Sequence, residues 1–402
     1  MKALILGLIL SLLTPAVSAE DNWVFSQRIP VTTEAKAGVF HHLEGAGRKH
    51  IGLSEKTLAV VWEDDHSGNP QIYLAHKTID NNQFSAVQQL STGKEAYEPA
   101  LTGLSGNRFV MAWEQDGQVY VRSHQDQQLS ALIKISQAPA SHASITSLGN
   151  SVFAVWRELR TTGWSLWVAE IEVSADGQLT LKSTNRVEQK DSPQAILFPA
   201  IGVNQSGLIV VWEDRRAGHT RLNYSFSENK GLSFSSPGYL NEFFSNRNQY
   251  DKGSGVTRVA ISSFAEKEFL AAWMDKRRGS SGYGIFAAQA FEGSFGPDEK
   301  VHSEQGDELA HNNPAVGGNA RGDFIVAWDD FRRGDADIWI SRYNEDGAWS
   351  EDVTPSPASG SGEQTHPSVA LDEQGGLHLL WIERASVDAP SRLWYSQGRM
   401  NR

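Results

Sequence analysis

Side chains of unlike chemistry stand near the starts of successive strand-like segments of this sequence. The residues at these starts are Arg48, Glu98, His142, Phe198, Val256, Asn313 and His366, and their neighbours add Tyr97, Arg258, His311 and Asn312. Carboxylate, imidazole, phenol and guanidinium groups gathered in one place can hold an anion, move a proton and stabilise developing charge. The alternative interpretation is a wet polar surface without chemistry.

The residue types suggest roles that depend on the reaction. Glu98 or Asp251 would be the acid of a hydrolase. In a lyase, Tyr250 or a neutral histidine, His142 or His366, would take the proton. The substrate-binding candidates are Arg48, Arg258, Tyr97, Arg247 and Asn312. Arginine suits a carboxylate or sulfate because its planar fork donates two parallel hydrogen bonds.

Two further groups of residues fit an anionic sugar. Residues 241–255 combine Phe243 and Phe244 with Arg247, Tyr250 and Asp251, and this composition suits glycan recognition, or simply pins the loop to its scaffold. A second arginine follows a repeated motif in three successive segments, at Arg215, Arg278 and Arg333. These arginines predict a basic arc for an anionic ligand, or solvated turns that keep the surface soluble.

The scaffold that positions these residues is a repeat. Its unit is an apolar run that ends in Trp, followed in six copies by an acidic residue two positions later and often by an arginine after two more, as in VVWEDRRAG. The seven Trp anchors are Trp62, Trp113, Trp156, Trp212, Trp273, Trp328 and Trp381. Repeats of this length are typical of propellers and solenoids. Because most units share the acid and the arginine, we interpret these as structural.

Each unit divides into four short strands separated by Gly, Asn and Asp turns, and no segment has a sustained helical period. Four strands in each of seven units predict an all-β, seven-bladed β-propeller. The seventh unit lacks its fourth strand, and NWVFSQRIPVTT resembles the fourth strands of other units. We therefore expect residues 20–32 to supply the outer strand of the last blade and to close the ring, within one domain of residues 20–402.

The first residues predict export. A positive start, a short apolar run and the small-residue segment Val17-Ser18-Ala19 are typical of a cleaved signal peptide, so we expect residues 1–19 to be removed and the protein to be periplasmic or secreted. The formal net charge of −12 argues against nucleic acid or an anionic membrane as the main partner. No later segment is apolar enough for membrane insertion. We expect a monomer.

Cysteine and histidine usage bound the chemistry further. The chain has no cysteine, which excludes disulfides and thiol catalysis. Several histidines at one site can bind a metal, but none has diagnostic spacing, and the adjacent His41 and His42 point apart on a strand. We therefore predict no metal and no other cofactor.

The repeat resembles the sialidase (BNR or Asp-box) superfamily. The segment from Arg48 to VVWEDDHSG has the layout of the family's first inner strands, and Ser227-Glu228-Asn229-Lys230-Gly231 followed by Phe234 resembles its Asp-box. The resemblance implies a propeller, with Arg48 matching the first arginine that holds the sugar carboxylate. Where the family has its nucleophilic tyrosine, this chain has His366-Pro367-Ser368.

These observations predict an exported propeller that acts on, or recognises, extracellular and anionic carbohydrate. As an enzyme it would be a glycoside hydrolase or a polysaccharide lyase. The alternative is a non-catalytic propeller that binds glycan or protein, because the fold serves both kinds of protein.

Overall fold

The protein is an all-β, seven-bladed propeller in a computed structural model that describes residues 23–32, 38–43, 45–242, 255–277, 282–303, 309–344 and 346–401. Strands make up almost all its regular structure there, beside a short 3-10 helix, Ser356–Ala358. Within these ranges no helix is both long and apolar enough to cross a bilayer. The seven Trp repeats predicted this architecture correctly. Residues 1–19, assigned to a signal peptide, lie outside the described ranges.

The first four blades follow the chain, each as an antiparallel sheet. Blade 1 contains β3 (His41–His42), β4 (Ile51–Ser54), β5 (Thr57–Asp64), β6 (Gln71–Thr78) and β7 (Gln88–Gln89). Blade 2 contains β8 (Ala96–Leu104), β9 (Arg108–Gln115), β10 (Gln118–Gln125), β11 (Gln128–Leu129) and β12 (Ile133–Lys134). Blade 3 contains β13 (Ala140–Leu148), β14 (Ser151–Arg160), β15 (Gly163–Val173) and β16 (Leu179–Arg186). Blade 4 contains β17 (Ile196–Asn204), β18 (Gly207–Asp214), β19 (Arg221–Ser227) and β20 (Gly238–Tyr239).

The last three blades have less regular outer strands. Blade 5 contains β21 (Thr257–Phe264), β22 (Glu268–Asp275), β23 (Gly284–Phe291) and β24 (Ser294–Lys300). Blade 6 contains β25 (His311–Gly318), β26 (Phe324–Asp330) and β27 (Asp337–Arg342), with single bridges at Trp349 and Val353 in the fourth position. Blade 7 contains β28 (Glu363–Leu371), β29 (Leu377–Arg384) and β30 (Ser391–Met400), and β1 (Trp23–Phe25) and β2 (Ile29–Pro30) pair with β30.

Apolar packing between neighbouring blades accounts for the ring. Seven clusters of buried side chains each join two successive blades, and one of them joins blade 7 to blade 1. The second strand of each blade is covered on both faces, which is why it reads as a continuous apolar run ending in Trp. All seven anchor tryptophans are fully buried.

The residue two positions after each anchor holds the indole. Trp62 donates its Nε1 hydrogen to Asp64 at 2.7 Å, and Trp328 donates to Asp330 at 3.0 Å. Blades 3, 4 and 5 repeat this bond to an acid, and a glutamine accepts in blade 2. A buried N–H left unpaired costs about 1–3 kcal/mol, so this position serves the fold in each of these blades.

The arginine that follows the repeated acid ties it to a second carboxylate. Arg216 joins Asp214 to Glu188, which accepts at 3.0 and 3.1 Å. Arg332 joins Asp330 to Asp352 in the same way, with 2.6 Å to the second acid. The first network ties the second strand of blade 4 to the segment that follows the outer strand of blade 3, and the second ties that of blade 6 to the outer segment of the same blade. They match the structural role that the repetition predicted.

Blade 1 departs from the repeat at its innermost strand. This strand is split into β3 and β4, which both pair with β5, and the chain between them enters the centre of the ring. We call residues 45–50 the plug. The sequence placed the strand start at Arg48, but the strand begins at His41 and Arg48 lies in the plug. The physical reason is the Gly45-Ala46-Gly47 run, which lets the backbone leave the sheet and return.

The plug makes hydrogen bonds to three other blades. Ser144 of blade 3 donates to the Gly47 carbonyl at 2.8 Å, and Lys49 donates to Ser262 of blade 5 at 3.1 Å. The backbone N–H of His50 donates to Ser368 of blade 7 at 3.0 Å. The plug is therefore fixed by contacts with blades that are distant from it in the sequence.

Glycine is required at the tip of the plug. Gly47 has a φ of +73°, and a Cβ atom there would lie 2.4 Å from the Cβ of Ala200. The cavity remaining beside the plug is only about 10 Å³. The plug therefore fills the centre of the ring at this level and leaves little space for a ligand.

Candidate functional site

A kinked residue recurs where six inner strands begin. Each has a left-handed backbone with φ between 46° and 57° and lies at a register shift in its strand. The six residues are Glu98, His142, Phe198, Arg258, Asn313 and His366. The sequence predicted Val256 for blade 5, but the bulge falls on Arg258 because β21 starts only at Thr257. Such a conformation costs a non-glycine residue about 1–2 kcal/mol, so neighbours have to hold it.

Carboxylates from the preceding blade hold four of these kinks. The backbone N–H of Glu98 donates to Glu63 at 2.9 Å, and that of His142 donates to Glu114. The same bond joins Arg258 to Glu213 at 2.7 Å and His366 to Asp329 at 2.9 Å. All four acids stand directly after an anchor Trp. The kinked residues thus have fixed positions around the mouth.

Blade 3 has an arginine, Arg157, directly after its Trp, and a different acceptor replaces the acid. The Nδ1 atom of His142 accepts the backbone N–H of Phe198 at 3.0 Å, and the two rings stack at 4.3 Å. An accepting Nδ1 leaves the hydrogen of the neutral imidazole on Nε2.

Two carboxyl groups and one arginine form the most concentrated charge cluster at the mouth. Arg48 Nη2 pairs with Glu98 and lies 3.9 Å from Glu114 Oε1, while Nη1 donates to the Ala46 carbonyl at 3.1 Å. The Arg48 side chain is fully buried. Its guanidinium is therefore directed at the two acids, and the plug is what brings it there.

The two acids, Glu98 and Glu114, have different electrostatic surroundings. Burial, and after it the charge of the neighbouring Glu98, raise the pKa of Glu114 to about 8, although Arg48 opposes the shift. Glu114 therefore retains its proton at neutral pH, while Arg48 balances the charge of Glu98. A carboxyl group with a raised pKa beside a second carboxyl group that pairs with arginine is an arrangement suited to acid–base chemistry.

The two acids lie in a cleft of about 450 Å³ over blades 7, 1 and 2. Its lining includes His42, Glu63, Asp64, Asp65, Tyr97, Glu98, Glu114, His366 and Arg384. The His42 and His366 rings are 6.4 Å apart across it. Of the predicted residues, the structure thus gathers Tyr97, Glu98 and His366 in one cleft, with Arg48 and His142 beside it.

Tyr97 is poorly suited to accept a proton. Its hydroxyl donates to Glu95 at 2.7 Å, and this bond is the main reason that its pKa is raised to about 12. The phenol therefore stays neutral and serves as a donor or a stacking surface. A lyase in which Tyr97 is the base would need the phenolate.

Glu98, Glu114 and His142 have ligand atoms within 4.8 Å of one another, so their spacing would admit a metal ion. Their chemistry is less suitable. Arg48 already pairs with Glu98, and the neutral His142 carries its hydrogen on Nε2, because Nδ1 accepts a backbone N–H. Cation binding would have to displace a buried guanidinium, so we assign these residues to acid–base chemistry.

Other predicted residues lie apart from the cleft. Arg258 and Asn312 are on the far side of the mouth, where the Arg258 charge acts on Asp329, whose pKa burial raises to about 7. Arg215 and Arg333 lie in exposed turns, and the Arg333 guanidinium stacks on Trp339 at 4.8 Å. Four predicted residues lie outside the described ranges: Arg247, Tyr250, Asp251 and Arg278.

The acids directly after the anchors were not among the residues predicted from the sequence. The position reads Glu63, Glu114, Arg157, Glu213, Met274, Asp329 and Ile382 through the seven blades. The sequence does contain a signal for these acids. The position directly after each Trp varies among the blades, whereas the position after that is nearly constant. Side chains alternate along a strand, so the two positions point to opposite faces and meet different neighbours.

Comparisons with solved structures show the same fold in enzymes of different chemistry. The protein is similar to the phage phi92 endosialidase, at 8% identity over 94% of this chain and 69% of that chain, with a TM-score of 0.52. An α-L-arabinofuranosidase of Fusarium graminearum is similar at 10% identity over 93% and 97%, with a TM-score of 0.50. A fungal alcohol oxidase in complex with copper is similar at 11% identity over 94% and 76%, with a TM-score of 0.53.

These likenesses show the fold, and two of the three structures are carbohydrate-active hydrolases. No family model matches the sequence, and no curated protein matches it. The function therefore has to be argued from the cleft.

Proposed function

We propose that this protein is a monomeric, exported glycoside hydrolase whose acid and nucleophile are Glu114 and Glu98. The observation that carries the proposal is a pair of carboxyl groups in one cleft with unlike surroundings: Glu98 pairs with Arg48, and burial raises the pKa of Glu114 to about 8. The carbohydrate-active enzymes among the structural neighbours support a sugar substrate.

The spacing of the two acids suits one of the two hydrolytic routes. Inverting enzymes separate their carboxyl groups by roughly 6.5–9.5 Å to admit a water molecule, whereas retaining enzymes use roughly 5–5.5 Å. The Glu98 and Glu114 side chains hydrogen-bond to each other, and their ligand oxygens lie within 4.8 Å, below the inverting separation. We therefore expect net retention of the anomeric configuration.

The proposed reaction has two steps. Glu98 attacks the anomeric carbon while Glu114 gives its proton to the glycosidic oxygen, so that the bond to the leaving group breaks. Glu114, now a carboxylate, then takes a proton from water, which attacks the anomeric carbon and releases Glu98. Arg48 positions Glu98 and balances its charge in both steps.

The charges of the cleft refine the predicted substrate. Among the described residues, five carboxyl side chains and one arginine, Arg384, line the cleft, and the charge of Arg48 is already used. An anionic sugar would be repelled where the bond is cleaved, so we propose a neutral sugar unit there. Acidic units of an anionic polymer would bind farther out, toward Arg258, Arg215 and Arg333. The resemblance to sialidases then concerns architecture, with a catalytic pair of different origin.

A pair of substrate types tests the acid and the nucleophile separately. A panel of neutral aryl glycosides and polysaccharides identifies a substrate for the wild type. Glu98→Gln should reduce kcat at least about 100-fold on every substrate, because general acid–base and nucleophilic groups contribute factors of this size. Glu114→Gln should do so on natural linkages but recover on aryl glycosides with good leaving groups, which need no acid.

Glu213→Gln is the matched control, because Glu213 holds the kink of blade 5 as Glu114 holds that of blade 3, away from the cleft. Its kcat should stay near that of the wild type. Sugar binding without turnover on any substrate, unchanged in Glu98→Gln and Glu114→Gln, would instead support the non-catalytic alternative.

Ring closure and export complete the proposal. Pairing of β1 and β2 with β30, and packing of Trp23, Phe25 and Val31 on blade 7, support an N-terminal clasp. Deletion of residues 23–32 should expose the edge of β30 and lower the melting temperature sharply. N-terminal sequencing of periplasmic protein should start near Glu20, and an intact Met1 would contradict cleavage.

A further inference from the structure

The largest described cavity lies at the opposite end of the propeller, between blades 6 and 7. It has a volume of about 530 Å³. Its walls are the turns at residues 319–323 and 372–376, together with the ends of β30 and β1. Neither the repeat nor the candidate active site accounts for it.

Its charge is opposite to that of the whole chain. Three arginines line it, Arg321, Arg342 and Arg399, and Asp323 is the one acid among its lining residues. The chain as a whole has a formal net charge of −12. Three guanidinium groups around one cavity raise the local concentration of anions. We call it the arginine pocket.

The arginines of this pocket have donors to spare. Arg342 Nη2 is 3.5 Å from Asp323 Oδ1, and Arg321 Nε is 4.0 Å from Asp323 Oδ2, both beyond good hydrogen-bond length. Arg342 Nη1 donates to the thioether of Met400 at 3.1 Å, which is a weak acceptor. The guanidinium of Arg399 makes no hydrogen bond or ion pair with any residue in the described ranges.

The acid in the pocket is engaged elsewhere. Asp323 accepts a hydrogen bond from Asn319 at 3.1 Å, so it serves the turn as well as the two arginines. The arginine network of the Trp repeat is different, because Arg216 and Arg332 there make contacts of 2.6–3.1 Å to two acids each. The comparison indicates that the pocket arginines can still form stronger hydrogen bonds with an added acceptor such as an oxyanion.

Apolar walls stand beside these donors. Trp23 and Phe324 line the pocket together with Ile325 and Leu371. Trp23 stacks on Phe25 at 5.7 Å, and Phe324 stacks on Tyr343 at 5.0 Å, so both rings are held from behind. A ligand with an anionic group and an apolar face meets both requirements here.

We infer that the arginine pocket binds the oxyanion group of a small ligand, a carboxylate or a sulfate, with the ligand body against Trp23 and Phe324. Arg342 and Arg399 form charge-assisted hydrogen bonds to the oxyanion, and Arg321 adds charge at the more exposed rim. This site is independent of hydrolysis at the Glu98–Glu114 cleft.

Isothermal titration with sodium sulfate, glucuronic acid and glucose tests the inference. Sulfate and glucuronate should bind and glucose should not. Tighter binding of glucuronate than of sulfate shows that the apolar walls contribute, and equal binding restricts the site to the oxyanion. Binding of glucose as tight as that of glucuronate, or no binding of either anion, would overturn the proposal.

Variants locate the binding. Arg342→Gln and Arg399→Gln should each weaken anion binding at least about tenfold, because each removes a charge-assisted hydrogen bond to the oxyanion. Asp323→Asn should strengthen it, because it removes the competing carboxylate. Arg392→Gln is the matched control, with the same charge change at the other end of β30.

Arg399 is exposed, so we expect Arg399→Gln to weaken anion binding without unfolding the protein. The melting temperature of each variant checks that it is folded. Equal affinity in the wild type, Arg399→Gln and Asp323→Asn would refute the pocket as the anion site even if Arg342→Gln proved unstable.

Discussion

Two adjacent positions on the second strand of each blade differ in what they do. The residue two after the anchor Trp accepts the indole hydrogen bond in six blades and is an acid in five of these. The residue one after the Trp is an acid in only four blades and holds the kink of the next inner strand there. The repeated position, two after the Trp, maintains the fold. The variable position, one after the Trp, is the one that differs among blades and can contribute to a site.

The plug turns one member of the variable position into a candidate catalytic residue. Glu114 and Glu213 make the same backbone hydrogen bond in blades 2 and 4, but the charged group of Arg48 reaches only the vicinity of Glu114. The difference between these glutamates comes from the insertion in blade 1.

The largest expected effect comes from disturbing the plug, which is what distinguishes Glu114 from Glu213. Gly47→Ala should destabilise the protein by about 3 kcal/mol or more, because strain at φ +73° of about 1–2 kcal/mol adds to overpacking against Ala200. Gly38→Ala is the control, since Gly38 has a φ of +77° and nothing within 4 Å of the added atom. Urea unfolding measures both, and equal losses would show that the plug tolerates displacement.

A smaller effect tests the repeated position. Asp214→Ala should cost about 1–3 kcal/mol, because it leaves Trp212, Arg216 and Asn223 without their shared acceptor. The adjacent, exposed Arg215→Ala should change stability by about 0.5 kcal/mol or less. A loss of activity in Asp214→Ala with unchanged stability would mean that the repeated position is functional after all.

The smallest effect, as measured over a single pH unit, concerns the proton on Glu114. Its folded pKa, about 8, exceeds that of an unfolded glutamate, so the folded state binds more protons between these values and stability declines as pH rises. The contribution is complete below about pH 4.5 and is lost by about pH 8, with a slope of up to about 1.4 kcal/mol per pH unit. Glu114→Gln should flatten this slope more than Glu213→Gln does, because burial also raises the pKa of Glu213 but by less. A wild-type slope that survives Glu114→Gln would place the proton elsewhere.

The same proton sets the expected pH dependence of catalysis. Activity should fall as pH rises through about 8, because Glu114 loses the hydrogen that the leaving group needs. Aryl glycosides with good leaving groups should lack this decline. A decline that is equal for both substrate types would assign it to another group.

The fold was largely predictable from the sequence, and the site only in part. Buried second strands produce apolar runs that end in Trp, so the blades could be counted from local patterns. The kinked residues Glu98, His142 and His366 were found because they break the repeat. Glu114 was missed because its partner Arg48 belongs to another blade and reaches it through a loop that no local pattern places.

The plug also sets the order in which the site can form. Its hydrogen bonds to Ser144, Ser262 and Ser368 span 97, 213 and 318 residues of chain. The bond to Ser368 has to wait until the last blade has been made and has docked. The plug that carries Arg48 to Glu98 and Glu114 is thus held by all three bonds only in a finished ring. The position of the arginine in this site therefore depends on contacts with three distant blades, made by six residues near the beginning of the chain.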